Sequence, residues 1–300
     1  MKKNSITSIL TLFLTAIIWG FAFPFQADGG ETLGTFWFNG IRFFIGAISL
    51  LPVIFLFERK KVDRDEWKKL LLIGSICGVI LFVASALQQF GIYLSGNSSK
   101  AGFITGLYMV FVPFCGIFMH KRITVEAWLG ALVAVVGLYF VSFTNGATAI
   151  DIGDLIVLFG AFFWTAHIVC IDSFAGNISP LRFSLIQFIV CGILNIALAP
   201  ILESHVVVSA ETVSVALIPL LYCGIFSVGV AYTCQVLGQR GTEPALSSII
   251  LCTESVFAAV GGWLIRDEVL GVKGYFGCAL IFAGILLSQA KIIGKKKKAQ

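Results

Sequence analysis

Three hundred residues of which 58% are hydrophobic and 12% charged, with 28 phenylalanines, do not make a soluble domain, where about a quarter of residues carry charge. The net charge of +5 is no nucleic-acid footprint, because the segments between apolar runs are too short to hold a basic folded surface. What composition leaves is an all-α integral membrane protein.

Apolar runs of about 18 residues or more recur ten times, near 6–26, 35–57, 70–94, 101–119, 125–143, 154–173, 181–203, 213–238, 245–265 and 272–290. With ten spans both termini share a side, and 17 of the 21 Lys and Arg residues fall on it, including Lys2, Lys3, the 59–69 cluster and Lys295 to Lys298. Lys100, Arg266 and Lys273 fall opposite, and Arg42 lies within a span. Positive residues are retained in the cytoplasm, so the asymmetry predicts a cell-membrane protein with both termini cytoplasmic.

Span 1 follows Lys2-Lys3 without a small-x-small cleavage site and is expected to stay as the first span. Its residues Thr11, Thr15, Trp19, Ala22 and Gln26 step by four, four, three and four, which is one helical face. Span 2 carries Arg42 about 10 Å from its outer end. That base can snorkel outward or pair with a carboxylate or backbone carbonyls, and structural anchoring is the favoured role. Span 3 groups Ser85, Gln88 and Gln89, and span 4 has Ala101, Thr105 and Tyr108 in an i, i+4, i+7 stripe. Span 6 repeats that stripe with Gly160, Trp164 and His167; span 8 offers Tyr232 and Gln235, and span 9 offers Ser247 and Glu254. Spans 5 and 10 show only glycines a heptad apart, Gly130/Gly137 and Gly277/Gly284, which serve close packing inside the bundle or against a second copy in a homodimer. Lipid cannot satisfy polar groups, so the striped helices are expected inside and spans 5 and 10 outside. Such a stripe also serves plain helix packing, but six of them, with aromatic tips, favour a shared cavity.

Five spans per half is an odd number, so a duplicated chain must be two inverted five-helix repeats. Trp19 and Trp164, Pro52 and Pro200, Gly130/Gly137 and Gly277/Gly284, and Val112-Pro113 and Glu254-Ser255 recur at nearly one offset. The polar stretch 144–153 is the natural seam, dividing the chain into 1–147 and 148–300.

Glu254 sits nine positions into span 9, about 14 Å deep and near the centre of a ~30 Å hydrocarbon core. A charge there costs several kcal/mol unless it is neutral, paired or wet, so Glu254 marks either a cavity or a hydrogen bond between helices. Trp19 and Trp164 near mid-span suit an aromatic wall or ordinary packing, whereas interfacial Trp sits at headgroup depth. Gln88, Gln89, Tyr108, Tyr232 and Gln235 supply neutral donors and acceptors for an uncharged or zwitterionic solute. His167, one turn from Trp164, is either a proton or substrate ligand or a neutral hydrogen-bonding partner. With Arg42 the lone base in a span, a phosphorylated substrate is disfavoured. All eight cysteines lie in spans without CxxC or CxxH spacing, so they are expected to be packing residues, with no disulfide framework, metal site or cofactor.

Trp19-Gly20, Arg42-Phe43, Phe162-Phe163-Trp164, the run Lys100 to Tyr108 continuing to Val112-Pro113, Ala231-Tyr232 through Gln235, Glu254 to Phe257 and Asp267-Glu268 occur in an order that resembles the EamA-type carriers of the drug/metabolite transporter superfamily. The resemblance covers essentially the whole chain and implies ten helices in two inverted EamA-like halves. Ser255 stands where relatives commonly have proline, which predicts a missing kink, and Lys121-Arg122 replaces an acidic residue often found after span 4. What the resemblance implies about function is export of amino acids or similar small metabolites by alternating access. If protons drive the cycle, Glu254 is the first candidate to carry them. A second reading is export of hydrophobic cationic drugs, with Trp19, Trp164 and Glu254 as an aromatic-plus-anion site. An intramembrane enzyme or sensor is the remote alternative, since the sequence has no HExxH, no closely spaced in-span carboxylates and no useful Ser/His pair.

Overall fold

The computed structural model describes residues 6–58, 62–118, 125–142, 151–174, 178–242, 244–269 and 271–297, and these are almost entirely helical. Lys2, Lys3, Lys121, Arg122 and most of the 144–153 seam lie outside the described residues. The first repeat contains α1 (Ile6–Leu33), α2 (Thr35–Phe57), α3 (Arg64–Ser95), α4 (Ser98–Thr105), α5 (Tyr108–Phe118) and α6 (Val125–Ser142). The second contains α7 (Ile152–Phe174), α8 (Pro180–Leu202), the short α9 (Ala210–Val215) and α10 (Leu217–Leu221), a π-helical stretch Tyr222–Tyr232, α11 (Thr233–Arg240), α12 (Pro244–Cys252), α13 (Glu254–Arg266) and α14 (Val272–Lys297).

Among the described residues, seven helical stretches are long and apolar enough to cross a membrane, and Trp128–Gly137 and Val272–Gly284 are shorter apolar helices. The seven correspond to predicted spans 1, 2, 3, 6, 7, 8 and 9. Span 1 is longer than expected: α1 continues to Leu33, and its last turns carry Asp28 and Glu31. The surface of the bundle is apolar where lipid would touch it, as at Ile48, Phe55, Leu72, Leu132, Ile193 and Ile218, while Thr15, Asn39, Arg42, Gln89, His167, Gln187, Asn195 and Glu254 are buried. This inverts the soluble pattern, because hydrocarbon leaves polar groups unsatisfied.

Packing follows a pseudo-two-fold scheme in which the partners of one repeat reappear in the other. The α3 helix lies against α7 and α8, while the stretch from Tyr222 to α11 lies against α1 and α2; α1 packs on α13 as α7 packs on α4 and α5. Two contacts join corresponding helices of the two repeats. In the first, Glu58 at the C-terminus of α2 reaches the N-terminus of α8, accepting from Leu181 N–H at 3.2 Å and from the Ser179 hydroxyl. Reciprocally, Glu203 at the C-terminus of α8 accepts from Thr35, Phe36 and Trp37 N–H at 2.5, 2.9 and 3.2 Å, satisfying the first turn of α2. The second pair is α6 and α14, which run antiparallel. A Cβ on Gly137 would come within 2.7 Å of Gly277 O, and one on Gly284 within 2.5 Å of Gly130 O. These glycines therefore seat each other within one chain and leave no argument for a second copy, and the featureless helices do lie mainly on one another.

Two expectations are corrected. Span 9 is interrupted after all: α12 ends and α13 begins at Thr253, whose hydroxyl donates to Ile250 O at 2.7 Å while its N–H also bonds to Ile250 O. A side chain competing for the helical acceptor breaks the ladder here without proline. Span 4 is broken at the equivalent place, Gly106-Leu107. The cysteines are not all packing residues either, since Cys77 of α3 and Cys170 of α7 form a disulfide with Cα atoms 6.5 Å apart. Their 93-residue separation gave no local signal, and only the α3–α7 contact brings them together.

The capping geometry predicts that Glu203→Ala lowers stability in detergent by about 1–3 kcal/mol, because three helix N–H groups lose a charged acceptor at once, with Glu203→Gln intermediate; thermal unfolding of the purified variants checks it. Gly20 is a second pressure point, since its absent Cβ would collide with Phe257 and lie 2.7 Å from Glu254 O. Gly20→Ala is expected to cost about 1–3 kcal/mol by overpacking and to displace the start of α13; an unchanged unfolding temperature would contradict this.

Candidate functional site in the centre of the bundle

Both breaks, the π-helical stretch and the polar faces of α1, α2, α3 and α7 converge on one cavity. Trp19, Phe23 and Gln26 of α1, Arg42 of α2 and Gln88 of α3 line it from the first repeat, together with Thr105 and Tyr108 on either side of the span-4 break. From the second repeat come Trp164 and Ile168 of α7, Ser227 and Tyr232 of the π-helical stretch, Gln235 of α11, and Glu254 at the first position of α13. The space inside is about 30 Å³, room for roughly two water molecules and less than an amino acid needs.

One wall is aromatic. Trp19 lies 4.7 Å from Tyr232 and 6.3 Å from Trp164, centroid to centroid, and the Trp164 and Tyr232 rings are nearly parallel at 6.2 Å. Trp19 is held in place by donating Nε1–H to Ser227 O at 3.1 Å. Ser227 lies within the π-helical stretch Tyr222–Tyr232.

The other side is polar and incompletely satisfied. Gln88 Nε2 donates to Thr105 Oγ1 at 3.0 Å. Gln26 Oε1, Tyr108 OH, Trp164 Nε1 and Gln235 Oε1 are buried without a hydrogen bond, and all four residues line the cavity. Buried polar atoms are normally paired, so four such groups around one space are what a solute-binding surface offers. The Tyr108 hydroxyl neighbours the Glu254 carboxylate without closing a well-formed hydrogen bond. Glu254 is 3% exposed and Arg42 2% exposed, and among the described residues neither forms an ion pair.

Of the sequence candidates, Trp19, Gln88, Tyr108, Trp164, Tyr232, Gln235, Arg42 and Glu254 meet at this cavity. Gln89 does not; one residue on from Gln88, it points away and donates to Gln26 O at 2.7 Å. His167 stands behind the wall, fully buried, with Nε2 3.0 Å from Gln187 Oε1 and its ring edge-on to Trp164 and Tyr232. Sequence reasoning set Gln26 and Thr105 on the right faces without carrying them to the site. Phe23 and Ile168 gave no signal because they are apolar in an apolar helix, and Ser227 contributes through backbone geometry invisible in composition.

One end of the bundle is closed by charge. Arg266 pairs with Asp28, with Glu31 at 2.7 Å and with Glu268 at 3.4 Å, while Glu268 accepts from the N–H and hydroxyl groups of Ser98 and Ser99 at the start of α4. Lys100 pairs with Asp154 and lies 3.7 Å from Asp151. These contacts tie α1 and α4 to α7 and α13, across the two repeats.

The model of the EamA-like transporter family matches residues 6–143 and again 151–289. The chain is 28% identical over 284 residues to an uncharacterized transporter of Archaeoglobus fulgidus, covering 94% of this chain and 86% of that one. It is 24% identical to the uncharacterized transporter YoaV of Bacillus subtilis, covering 93% and 96%. A solved crystal structure at 16% identity superposes with a TM-score of 0.75 over 98% of this chain and 99% of that one, which is a likeness of fold. With two copies of the family's repeat filling almost its entire length, the chain belongs to the EamA-like transporters of the drug/metabolite transporter superfamily.

Proposed function

We propose that the chain is a secondary carrier exporting small neutral or zwitterionic metabolites, amino acids among them, by alternating access. Membership of a transporter family already separates it from enzymes. The observation that carries the finer reading is the central cavity, built by both repeats and ringed by buried polar atoms without partners. A site at the interface of two rocking halves is how such carriers expose one solute to each side in turn. The halves are 1–147 and 148–300, with ten spans in inverted arrangement, and the reciprocal α2–α8 and α6–α14 contacts support that symmetry. The Lys and Arg distribution supports cytoplasmic termini. On that orientation the Arg266–Asp28–Glu31–Glu268 cluster closes the outer side.

Coupling to protons falls to Glu254, the acidic group that lines the cavity. An ionised carboxylate surrounded by hydrocarbon is costly, so binding and releasing a proton there is energetically tied to which side is open. Export of lipophilic cations is the second reading, favoured by the three-ring wall beside Glu254; Arg42 in the same cavity weighs against it.

The expected outcome with the purified chain in proteoliposomes is amino-acid transport accelerated by a pH gradient. Glu254→Gln is expected to lose the gradient's effect, by at least about tenfold in initial rate relative to its own exchange without a gradient. Full gradient-driven transport by the variant would remove Glu254 from the coupling role.

A further inference from the structure

Arg42 lies seven residues into α2 and is almost fully buried. It has not snorkelled to the membrane surface, and no carboxylate among the described residues pairs with it. What holds it is neutral: Nε donates to Asn39 Oδ1 at 2.9 Å, and the guanidinium carbon stands 5.6 and 5.2 Å from the Phe38 and Phe43 ring centroids. Asn39 is itself fixed, donating Nδ2–H to Ser85 O at 3.1 Å. These contacts use the Nε edge and the faces of the guanidinium. The Cys223 thiol also lies within hydrogen-bonding reach of the guanidinium, no carboxylate among the described residues meets its terminal nitrogens, and the residue lines the cavity.

A structural anchor would spend its charge on the protein. Here the neighbours that orient the side chain, Asn39, Phe38, Phe43 and Cys223, carry no carboxylate, and its charge is left for whatever enters. We infer that Arg42 is a substrate-binding residue that receives a carboxylate, with the cationic end of the same solute turned toward Glu254. Two planar N–H donors matched to two carboxylate oxygens give geometry as well as charge, which a lysine point charge does not. Arg42 and Glu254 line one space without pairing with each other, and Tyr232 lies within electrostatic reach of both. A solute carrying both charges therefore meets both buried residues at once, whereas a plain amine leaves Arg42 uncompensated and a plain acid brings no cation to Glu254. This inference rests on the reading of the chain as a carrier of small metabolites and narrows it to solutes with a free carboxylate.

The test uses the purified full chain in proteoliposomes, with radiolabelled standard amino acids as probes in solute exchange. For each one transported, the unlabelled acid, its primary amide and its decarboxylated amine are compared as competitors. On the unmodified chain the acid is expected to compete roughly tenfold or more better than the amide or the amine. Arg42→Gln is expected to raise KM for the acid by a similar factor and to erase the preference over the amide, with Arg42→Lys in between; unfolding temperature in detergent tells lost binding from lost structure. The acid–amide comparison needs no variant, so a poorly folded Arg42→Gln does not block it. Equal competition by acid and amide in a chain that does transport amino acids would overturn the role of Arg42 and leave the carrier reading intact. Transport of no amino acid at all would sink that reading, and this inference with it.

Discussion

Hydrocarbon offers neither hydrogen-bond partners nor counterions, and that constraint decides where nearly every polar side chain of this protein goes. Most are spent inside the bundle on backbone carbonyls of neighbouring helices. Thr15 reaches Ala231 O, Trp19 reaches Ser227 O, Asn39 reaches Ser85 O, Gln89 reaches Gln26 O and Ser255 reaches Gly102 O. Glu58 and Glu203 go to helix N-termini. Unbonded buried atoms occur elsewhere too, as at Gln187, Asn195 and Gln239, but those of Gln26, Tyr108, Trp164 and Gln235 gather around one space together with Arg42 and Glu254, neither of which forms an ion pair among the described residues.

Irregular backbone is found around the same place. The helix breaks at Gly106-Leu107 and Thr253 and the π-helical stretch Tyr222–Tyr232 are tolerable in a membrane because they are buried in protein. They also give the centre its shape. Tyr108 and Glu254 each follow a break directly. At the end carrying Arg266, by contrast, the chain is tied across the repeats by ion pairs. The opposite end is tied across the repeats as well, by Arg182 of α8 to Glu58 after α2, so the cavity's unbonded groups lie between two fastened ends.

Much of this was legible in the sequence because hydropathy and helical spacing are strong signals over 20 apolar residues. Mid-span Trp19, Trp164, Gln235 and Glu254 stand out against such a background, and their faces point where periodicity puts them. The signal failed where it depended on rotation or on partners. Gln88 and Gln89 are neighbours in sequence, yet the 100° step between them sends one to the cavity and the other to α1. His167 shares the Trp164 face but stands a layer behind it against Gln187. Arg42 read as an anchor because nothing in the sequence said that its surroundings would be Asn39, Phe38 and Phe43 and not a carboxylate. The Thr253 break lacks the proline that would have announced it, and the Cys77–Cys170 bond depends on a contact between distant helices. The extension of α1 to Leu33 was hidden by Asp28 and Glu31, which look like loop residues until Arg266 is set beside them.

The claim beneath all of this is that the space around Glu254 is reached by water from one face of the membrane and then from the other. The direct measurement replaces the native cysteines, places a single cysteine at position 254, and follows its reaction with a small membrane-impermeant thiol reagent applied to each face of right-side-out and inverted vesicles. The account predicts labelling from both faces, with the balance between them shifted by added solute. A cysteine that reacted from neither face under any condition would contradict it.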